Sequence, residues 1–239
     1  VTGAAGGIGA AICELLAELG VRVIGMDRDA AGLAELKARI GCEVVCVDLC
    51  DWGAVEAVVA QLNANVDVVS LLVNCAGVAK FEPILETSES AFTLQYNVNV
   101  KSLVCLTNAV ARYMIERRTR GSVVHISSQS STLPLPDHLV YSSSKAAVDH
   151  AGRIQALEFG RHGVRVNTIR PTVVLTDLAI KAWDQDKLDV MRQQIPLQRL
   201  ASPGDVAHST AFLLSENASM ITGVSLPVDG GRSMGGFGM

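Results

Sequence analysis

Seven short apolar runs, separated by stretches with helical spacing, constrain this chain's architecture before any single residue is considered. The first run ends at Thr2, and the others lie at Arg22–Met26, Glu43–Val47, Val68–Val73, Ser122–Ser127, Val164–Ile169 and Val224–Val228. Each is apolar nearly throughout instead of alternating, which suits strands of a parallel sheet whose two faces are both covered by helices. Helical patterns fill the gaps at Ala30–Ile40, Trp52–Leu62, Ser88–Arg117, Tyr141–Phe159 and Pro203–Leu214. The expectation is an α/β chain with a doubly wound, seven-stranded parallel sheet, helices on both faces and a ligand crevice at the strands' carboxyl ends. With 239 residues, 49% of them hydrophobic, the chain can bury one sizeable core, so residues 1–239 are read as a single domain.

The run Thr2-Gly3-Ala4-Ala5-Gly6-Gly7-Ile8-Gly9 falls between the first strand and the first helix. Glycines let backbone N–H groups approach a diphosphate without Cβ interference, and a helix N-terminus adds positive potential. Its spacing departs from the usual dinucleotide fingerprint, since three residues separate Gly3 from Gly7. By itself it could be an ordinary strand–helix turn. About twenty residues on, Asp27 closes the second strand, where a carboxylate accepts hydrogen bonds from both ribose hydroxyls and repels a 2′-phosphate. That charge favours NAD. Arg28 beside it could pair with a 2′-phosphate, so NADP stays open.

Tyr141 and Lys145 stand four residues apart at the opening of a helix, so phenol and ammonium share a face. A free phenol titrates near pH ~10, and a cation held close favours the phenolate. Ser128 precedes Tyr141 by thirteen residues and ends a strand, as Asn74 and Pro171 do. A hydroxyl there can hold a carbonyl oxygen while the tyrosine moves its proton, leaving hydride exchange to a nicotinamide. Taken singly, each residue has a plain structural role open to it; together with the glycine turn they point to one site.

These elements, together with Asp48-Leu49, Asn74-x-Ala76-Gly77, Asn97-Val98-Asn99 and Asp229-Gly230-Gly231, give a chain that resembles the short-chain dehydrogenase/reductase family over its whole length. The resemblance implies a Rossmann fold, Tyr141 as acid/base, Ser128 polarising the substrate oxygen, and Lys145 serving both Tyr141 and the cofactor ribose. Asn99 would hold a water linking Lys145 to solvent. Cofactor contacts are implied at Gly3, Gly7, Ile8, Gly9, Asp48 and Leu49, with Asn74, Ala76 and Gly77 near the ribose and Pro171, Val174 and Thr176 by the nicotinamide. A homotetramer is implied too, through the Ser88–Arg117 and Tyr141–Phe159 helices. Cys75 stands where the family commonly has a second asparagine, which weakens the strand–turn hydrogen bonding. Thr172 stands where glycine commonly follows the proline.

The segment Arg170–Thr176, with Gln129, His138 and Trp183, resembles the branch of dicarbonyl, carbonyl and L-xylulose reductases. In that likeness Gln129 and His138 supply polar contacts to substrate hydroxyls, and Trp183, on a substrate-covering segment at about 175–200, closes over the substrate. Helix packing is the other reading of Trp183, and His138 fits a plain loop role equally. Members of the branch typically use NADPH and lack the acid that Asp27 supplies. An NAD preference turns the expectation towards oxidation of a polyol such as xylitol to its ketose. The alternatives are an NADPH-dependent carbonyl or dicarbonyl reductase, and a non-catalytic member that keeps the fold to bind cofactor.

A net charge of −4 with no basic stripe speaks against nucleic acid as a partner, and no apolar stretch approaches the ~18 residues of a membrane span. The six cysteines stand mostly in apolar surroundings and are read as buried thiols of a reducing, cytoplasmic compartment. Cys42, Cys46 and Cys50 are evenly spaced but have no histidine near them in sequence, so no metal site is expected. The chain opens at Val1 in mid-strand, so a preceding segment, with any targeting signal it carries, is expected.

Overall fold

The computed structural model describes residues 1–65, 69–176 and 185–235. Helix α1 (Gly7–Glu18) leads to β1 (Ile24–Asp27), α2 (Ala30–Ile40), β2 (Glu43–Cys46), α3 (Trp52–Asn65) and β3 (Leu71–Asn74). Then follow α4 (Glu89–Tyr96), α5 (Ser102–Glu116), β4 (Gly121–Ile126), α6 (Leu139–Phe159), β5 (Val164–Pro171), α7 (Gln185–Gln193), α8 (Pro203–Leu214) and β6 (Ser225–Val228).

The parallel sheet is present, but a count of seven strands is not reached among the described residues. Among the described residues there are six strands, all paired in parallel, as a two-stranded β1–β2 unit and a four-stranded β3–β4–β5–β6 unit. Val1 and Thr2 of the first apolar run pair outside these strands. They still join the two units: Thr2 bridges Met26, Thr2 N–H donates to the Val73 carbonyl at 2.9 Å, and Met26 N–H donates to the Val1 carbonyl at 2.8 Å. The chain therefore turns from Thr2 into the glycine run beside the end of β3, where a doubly wound sheet changes winding direction and leaves a crevice.

Helices cover both faces, and this explains the unbroken apolar runs. On one face Ile12, Leu16, Leu33, Leu36, Val206 and Leu213 of α1, α2 and α8 pack with Val73, Val124, Ile126 and Ile169. On the other, Val55, Val59, Leu106, Met114 and Ala156 of α3, α5 and α6 pack with Leu72, Val123, Val164 and Val166. Neighbours such as Val123 and Val124 go to opposite faces, as strand geometry requires. Each fully buried Ile or Leu contributes roughly 1.5–3 kcal/mol.

The helix expected over Ser88–Arg117 runs unbroken from Glu89 to Glu116 but is not α-helical throughout. Ser88 caps α4, its Oγ accepting from Ala91 N–H at 3.2 Å, and a π-helical turn at Asn97–Lys101 separates α4 from α5. Such a turn holds one extra residue, a feature frequent at functional sites. Here it carries the buried Asn99. The cysteines also depart from expectation. All are free, and Cys13, Cys42 and Cys105 are buried, but Cys46, on a strand paired with β1 alone among the described residues, is exposed, and Cys50 and Cys75 are half-buried. No helix of the described residues is long and apolar enough to cross a membrane.

A buried polar chain links β3, β4 and α6 beneath the crevice. Asn74 Nδ2 donates to Thr107 Oγ1 at 2.9 Å and to His125 Nδ1 at 3.1 Å. His125 Nε2–H, on the neutral ring this tautomer requires, donates to Gln155 Oε1 at 2.8 Å. Burial pulls the His125 imidazole from 6.5 down to about 4. Below pH 6.5 the unfolded chain takes up a proton that the fold refuses until about pH 4. The stabilisation is therefore complete above 6.5 and is lost as pH falls through that window, by about 3 kcal/mol in all. Urea midpoints at pH 7 and pH 4.5 should show a larger acid-side loss for the wild type than for His125→Gln. Equal losses in the two proteins would contradict this assignment.

Candidate active site

The glycine turn is fastened from below by Thr2. Its hydroxyl oxygen accepts from the N–H groups of Cys75 and Ala76, each at 3.0 Å, so this turn stays tied to the strand end despite the cysteine at 75. Gly9 makes the close approach that the sequence pattern anticipates: a Cβ there would lie 2.1 Å from the Gly3 carbonyl oxygen. Gly6 precedes α1 without any side-chain cap, so the first-turn N–H groups remain available to an anion.

Asp27 stands next to this turn with its carboxylate already oriented. Oδ2 accepts from Ala5 N–H and Oδ1 from Asp29 N–H, both at 3.1 Å. A carboxylate has about four acceptor positions, so each oxygen keeps one for a further donor. Arg28 is exposed beside it and forms no ion pair among the described residues. Further along, Asp48 Oδ1 accepts from Cys50 N–H at 2.9 Å.

These groups border a cleft of about 500 Å³. Of the expected cofactor contacts, Gly3, Gly7, Ile8, Gly9, Asp27 and Arg28 line it. So do Asp48, Leu49, Ala76, Gly77 and Thr176. Asn74, Tyr141, Lys145, Pro171 and Val174 do not: Asn74, Lys145, Pro171 and Val174 are buried, and the Asn74 side chain is engaged with Thr107 and His125 under the floor. The sequence reading missed Ala5, Val47, Cys50, Cys75, Val78 and Val98 as wall residues. Burial pushes the Cys75 thiol up to about 12, far from a reactive thiolate.

Lys145 approaches this cleft from α6, one turn after Tyr141. Lys145 is buried, its Nζ donates to the Ile126 carbonyl at 3.0 Å, and it lies 5.7 Å from the centre of the Tyr141 ring. A Cβ on Gly77 would lie 3.3 Å from Lys145 Nζ and 3.5 Å from Asn99 Oδ1, so both groups converge on a residue of the cleft wall. The Asn99 amide is heavily committed: Oδ1 accepts from Val78 N–H at 2.8 Å, and Nδ2 donates to the Val78 carbonyl and to Ser144 Oγ, each at 3.0 Å. It ties the wall to α6, and a water could take only the remaining Oδ1 lone pair.

Ser128 accepts at Oγ from Ser130 N–H at 3.2 Å and from Ser130 Oγ–H at 3.0 Å, which leaves its own proton to donate. Gln129 is buried with Oε1 unpartnered among the described residues, an acceptor still lacking a donor. His138 precedes α6, and its Nδ1–H donates to the Pro136 carbonyl. Its ring stacks on Phe81, a residue no sequence pattern singled out. Trp183 lies outside the described residues.

A family model described as enoyl-(acyl carrier protein) reductase matches residues 3–233. An L-xylulose reductase of Mesocricetus auratus is 42% identical over 233 residues, covering 97% of this chain and 94% of its own. A D-threitol dehydrogenase of Mycolicibacterium smegmatis is 38% identical over 240 residues, covering 98% and 92%. Among solved structures, an oxidoreductase of the short-chain dehydrogenase/reductase family from Burkholderia thailandensis superposes with a TM-score of 0.89 at 33% identity, over 98% of this chain and 92% of that one.

Proposed function

The chain belongs to the short-chain dehydrogenase/reductase family, and on that premise we propose that it transfers a hydride between a nicotinamide cofactor and a small polyol/ketose pair such as xylitol and L-xylulose. The observation that carries the reading is the meeting of Lys145 and Asn99 at Gly77, on the wall of the cleft that the glycine turn opens. Relatives named L-xylulose reductase and D-threitol dehydrogenase support the same substrate class.

The residues fit a dinucleotide: an uncapped helix N-terminus for a diphosphate, a glycine cradle with no room for Cβ, and a carboxylate with two acceptor positions left for ribose hydroxyls. When bound, the nicotinamide supplies the hydride acceptor or donor. Tyr141 takes the proton from the substrate hydroxyl during oxidation and returns it during reduction. The Ser128 hydroxyl keeps its proton and donates a hydrogen bond to the same oxygen, and the Lys145 ammonium faces the negative charge that the tyrosine carries in the exchange. Gln129 Oε1 and His138 accept from the neighbouring hydroxyls of the substrate. Thr176, which lines the cleft, serves the nicotinamide end.

The Asp27 carboxylate favours NAD and therefore the oxidative direction, with carbonyl reduction as the reverse. Arg28, lining the same cleft without an ion pair among the described residues, favours the second reading, an NADPH-dependent carbonyl or dicarbonyl reductase. Initial rates with NAD and NADP on a polyol panel separate the two. We expect NAD to be preferred, and Asp27→Ser to raise the NADP/NAD ratio of kcat/KM at least about tenfold, the equivalent of ~1.4 kcal/mol. A strong NADP preference in the wild type would overturn the oxidative assignment. An unmoved ratio in Asp27→Ser would hand cofactor choice to Arg28.

We place this single-domain enzyme in the cytoplasm as a homotetramer joined through α4–α5 and α6. Exposed apolar side chains on these helices, Leu157 and Ile154 on α6 and Phe92 on α4, support that assembly.

A further inference from the structure

Between Lys80 and Glu82 the chain is fastened on both sides of one exposed aromatic ring. The Gln95 side chain, fully buried on α4, accepts from Lys80 N–H at 3.2 Å and donates from Nε2 to the Lys80 carbonyl at 3.1 Å. Glu82 is held at both ends. Its N–H donates to the Asp137 carbonyl at 3.1 Å, and its carboxylate accepts from Ser88 N–H at 3.0 Å and pairs with Lys80 Nζ at 2.8 Å. Lys80 and Ser88 together hold the Glu82 carboxyl at about 2, so this clasp stays closed across the neutral range.

Phe81, in the middle, is 43% exposed, so core packing does not account for it. Its ring stacks on His138 with centroids 4.0 Å apart and planes at 27°, and it meets the Tyr141 ring edge-on at 5.8 Å and 86°. His138 and Tyr141 lie 6.3 Å apart at 71°, so the three rings form one corner beside the phenol. The loop presenting His138 is strained: Asp137 has φ 61°, a conformation rare outside glycine, and its carbonyl is the acceptor for Glu82 N–H. Because the Pro136 carbonyl can only accept, His138 Nδ1 carries the proton and the neutral ring offers Nε2 as an acceptor.

We propose that Phe81 is a specificity-determining residue, which forms an apolar wall beside Tyr141 and holds the His138 ring so that Nε2 accepts a hydrogen bond from a substrate hydroxyl next to the reacting carbon. The corner suits a short polyhydroxy chain, with C–H groups against the phenyl face and a vicinal hydroxyl on the imidazole. This rests on the polyol/ketose reading above and adds to it the residue that selects the substrate.

The test is steady-state kinetics of Phe81→Ala, Phe81→Leu and Phe81→Tyr on xylitol, threitol and 2-butanol, together with the His138 ring-proton resonances. In Phe81→Ala, KM for the two polyols should rise about tenfold, the effect of losing one well-held hydrogen bond, with the loss falling on KM and not kcat. KM for 2-butanol, which has no vicinal hydroxyl, should rise much less. Phe81→Tyr should restore wild-type behaviour because the stack is kept, whereas Phe81→Leu, apolar but without the stack, should resemble Phe81→Ala. The His138 resonances, shifted by the phenyl ring current in the wild type, should move in both non-aromatic variants. Polyol KM values unchanged within about twofold in Phe81→Ala, or unmoved His138 resonances, would overturn the inference while leaving the polyol reading standing. A wild type that turns over 2-butanol but no polyol or ketose would overturn the polyol reading, and this inference with it.

Discussion

Tyr141→Phe should abolish measurable turnover, with kcat falling by roughly two to four orders of magnitude, while the protein still binds its cofactor. The substitution removes one hydroxyl and keeps the ring. The edge-on contact with Phe81 and the place of the ring beside Lys145 therefore have no reason to change. The cofactor cleft is lined by the glycine turn, the end of β1 and the residues that follow β1, β2 and β3, not by the Tyr141 side chain. Cofactor affinity, measured by quenching of protein fluorescence, should consequently stay within about twofold of wild type, because no wall contact is lost. Turnover within tenfold of wild type would move the acid/base role to another residue. Because the same hydroxyl is needed whether the reaction runs towards ketose or polyol, this result does not depend on the preference for NAD.

Gly9→Ala should damage the cleft itself. The added Cβ would stand 2.1 Å from the Gly3 carbonyl oxygen, 2.7 Å from the Gly3 carbonyl carbon and 3.1 Å from Ala4 Cα. These are backbone atoms, so no side chain can swing aside, and the turn must open. Overpacking of this kind costs typically about 1–3 kcal/mol, which lowers Tm by several degrees in a chain of this size, at roughly 2–4 °C per kcal/mol. Cofactor affinity should fall at least about a hundredfold, because displaced N–H groups no longer converge on the diphosphate. Gly53→Ala provides the contrast: its Cβ would meet nothing nearer than Asp51 Oδ1 at 3.6 Å, and alanine is the better helix former. That variant should bind cofactor normally and be at least as stable. Wild-type affinity in Gly9→Ala would show that the turn does not cradle the dinucleotide.

Much of this was legible in the sequence because the signals were local. The bounds expected for α2 and α8 agree with the structure, since Asp29 caps α2 through Ala31 and Gly32 N–H while Ser202 and Asp205 form a capping box on α8. Gly7 and Asp27 were legible for the same reason, because one opens a helix and the other closes a strand, whereas Asp48 was legible only through the resemblance to the family. What the sequence hid depends on which way a side chain turns at a fixed backbone position. Asn74 ends β3 as expected, yet its amide turns down to Thr107 and His125, drawn by buried partners 33 and 51 residues away in the chain. The π turn that carries Asn99 cannot be read from periodicity, because one extra residue barely disturbs an apolar stripe. Phe81 gives no pattern at all. A lone aromatic between Lys80 and Glu82 acquires meaning only when Gln95, Asp137 and Ser88 close around it.

The proposed reaction needs a phenol and an ammonium standing where a dinucleotide and an alcohol meet. A crystal structure with NAD and xylitol bound tests this most directly. The predicted result places the Tyr141 hydroxyl and the Ser128 hydroxyl within hydrogen-bonding distance of one substrate oxygen, the carbon bearing it facing the nicotinamide, and both Asp27 oxygens on the adenosine ribose. A dinucleotide seated in the cleft with the polyol bound away from Tyr141, or a dinucleotide bound elsewhere, would contradict it.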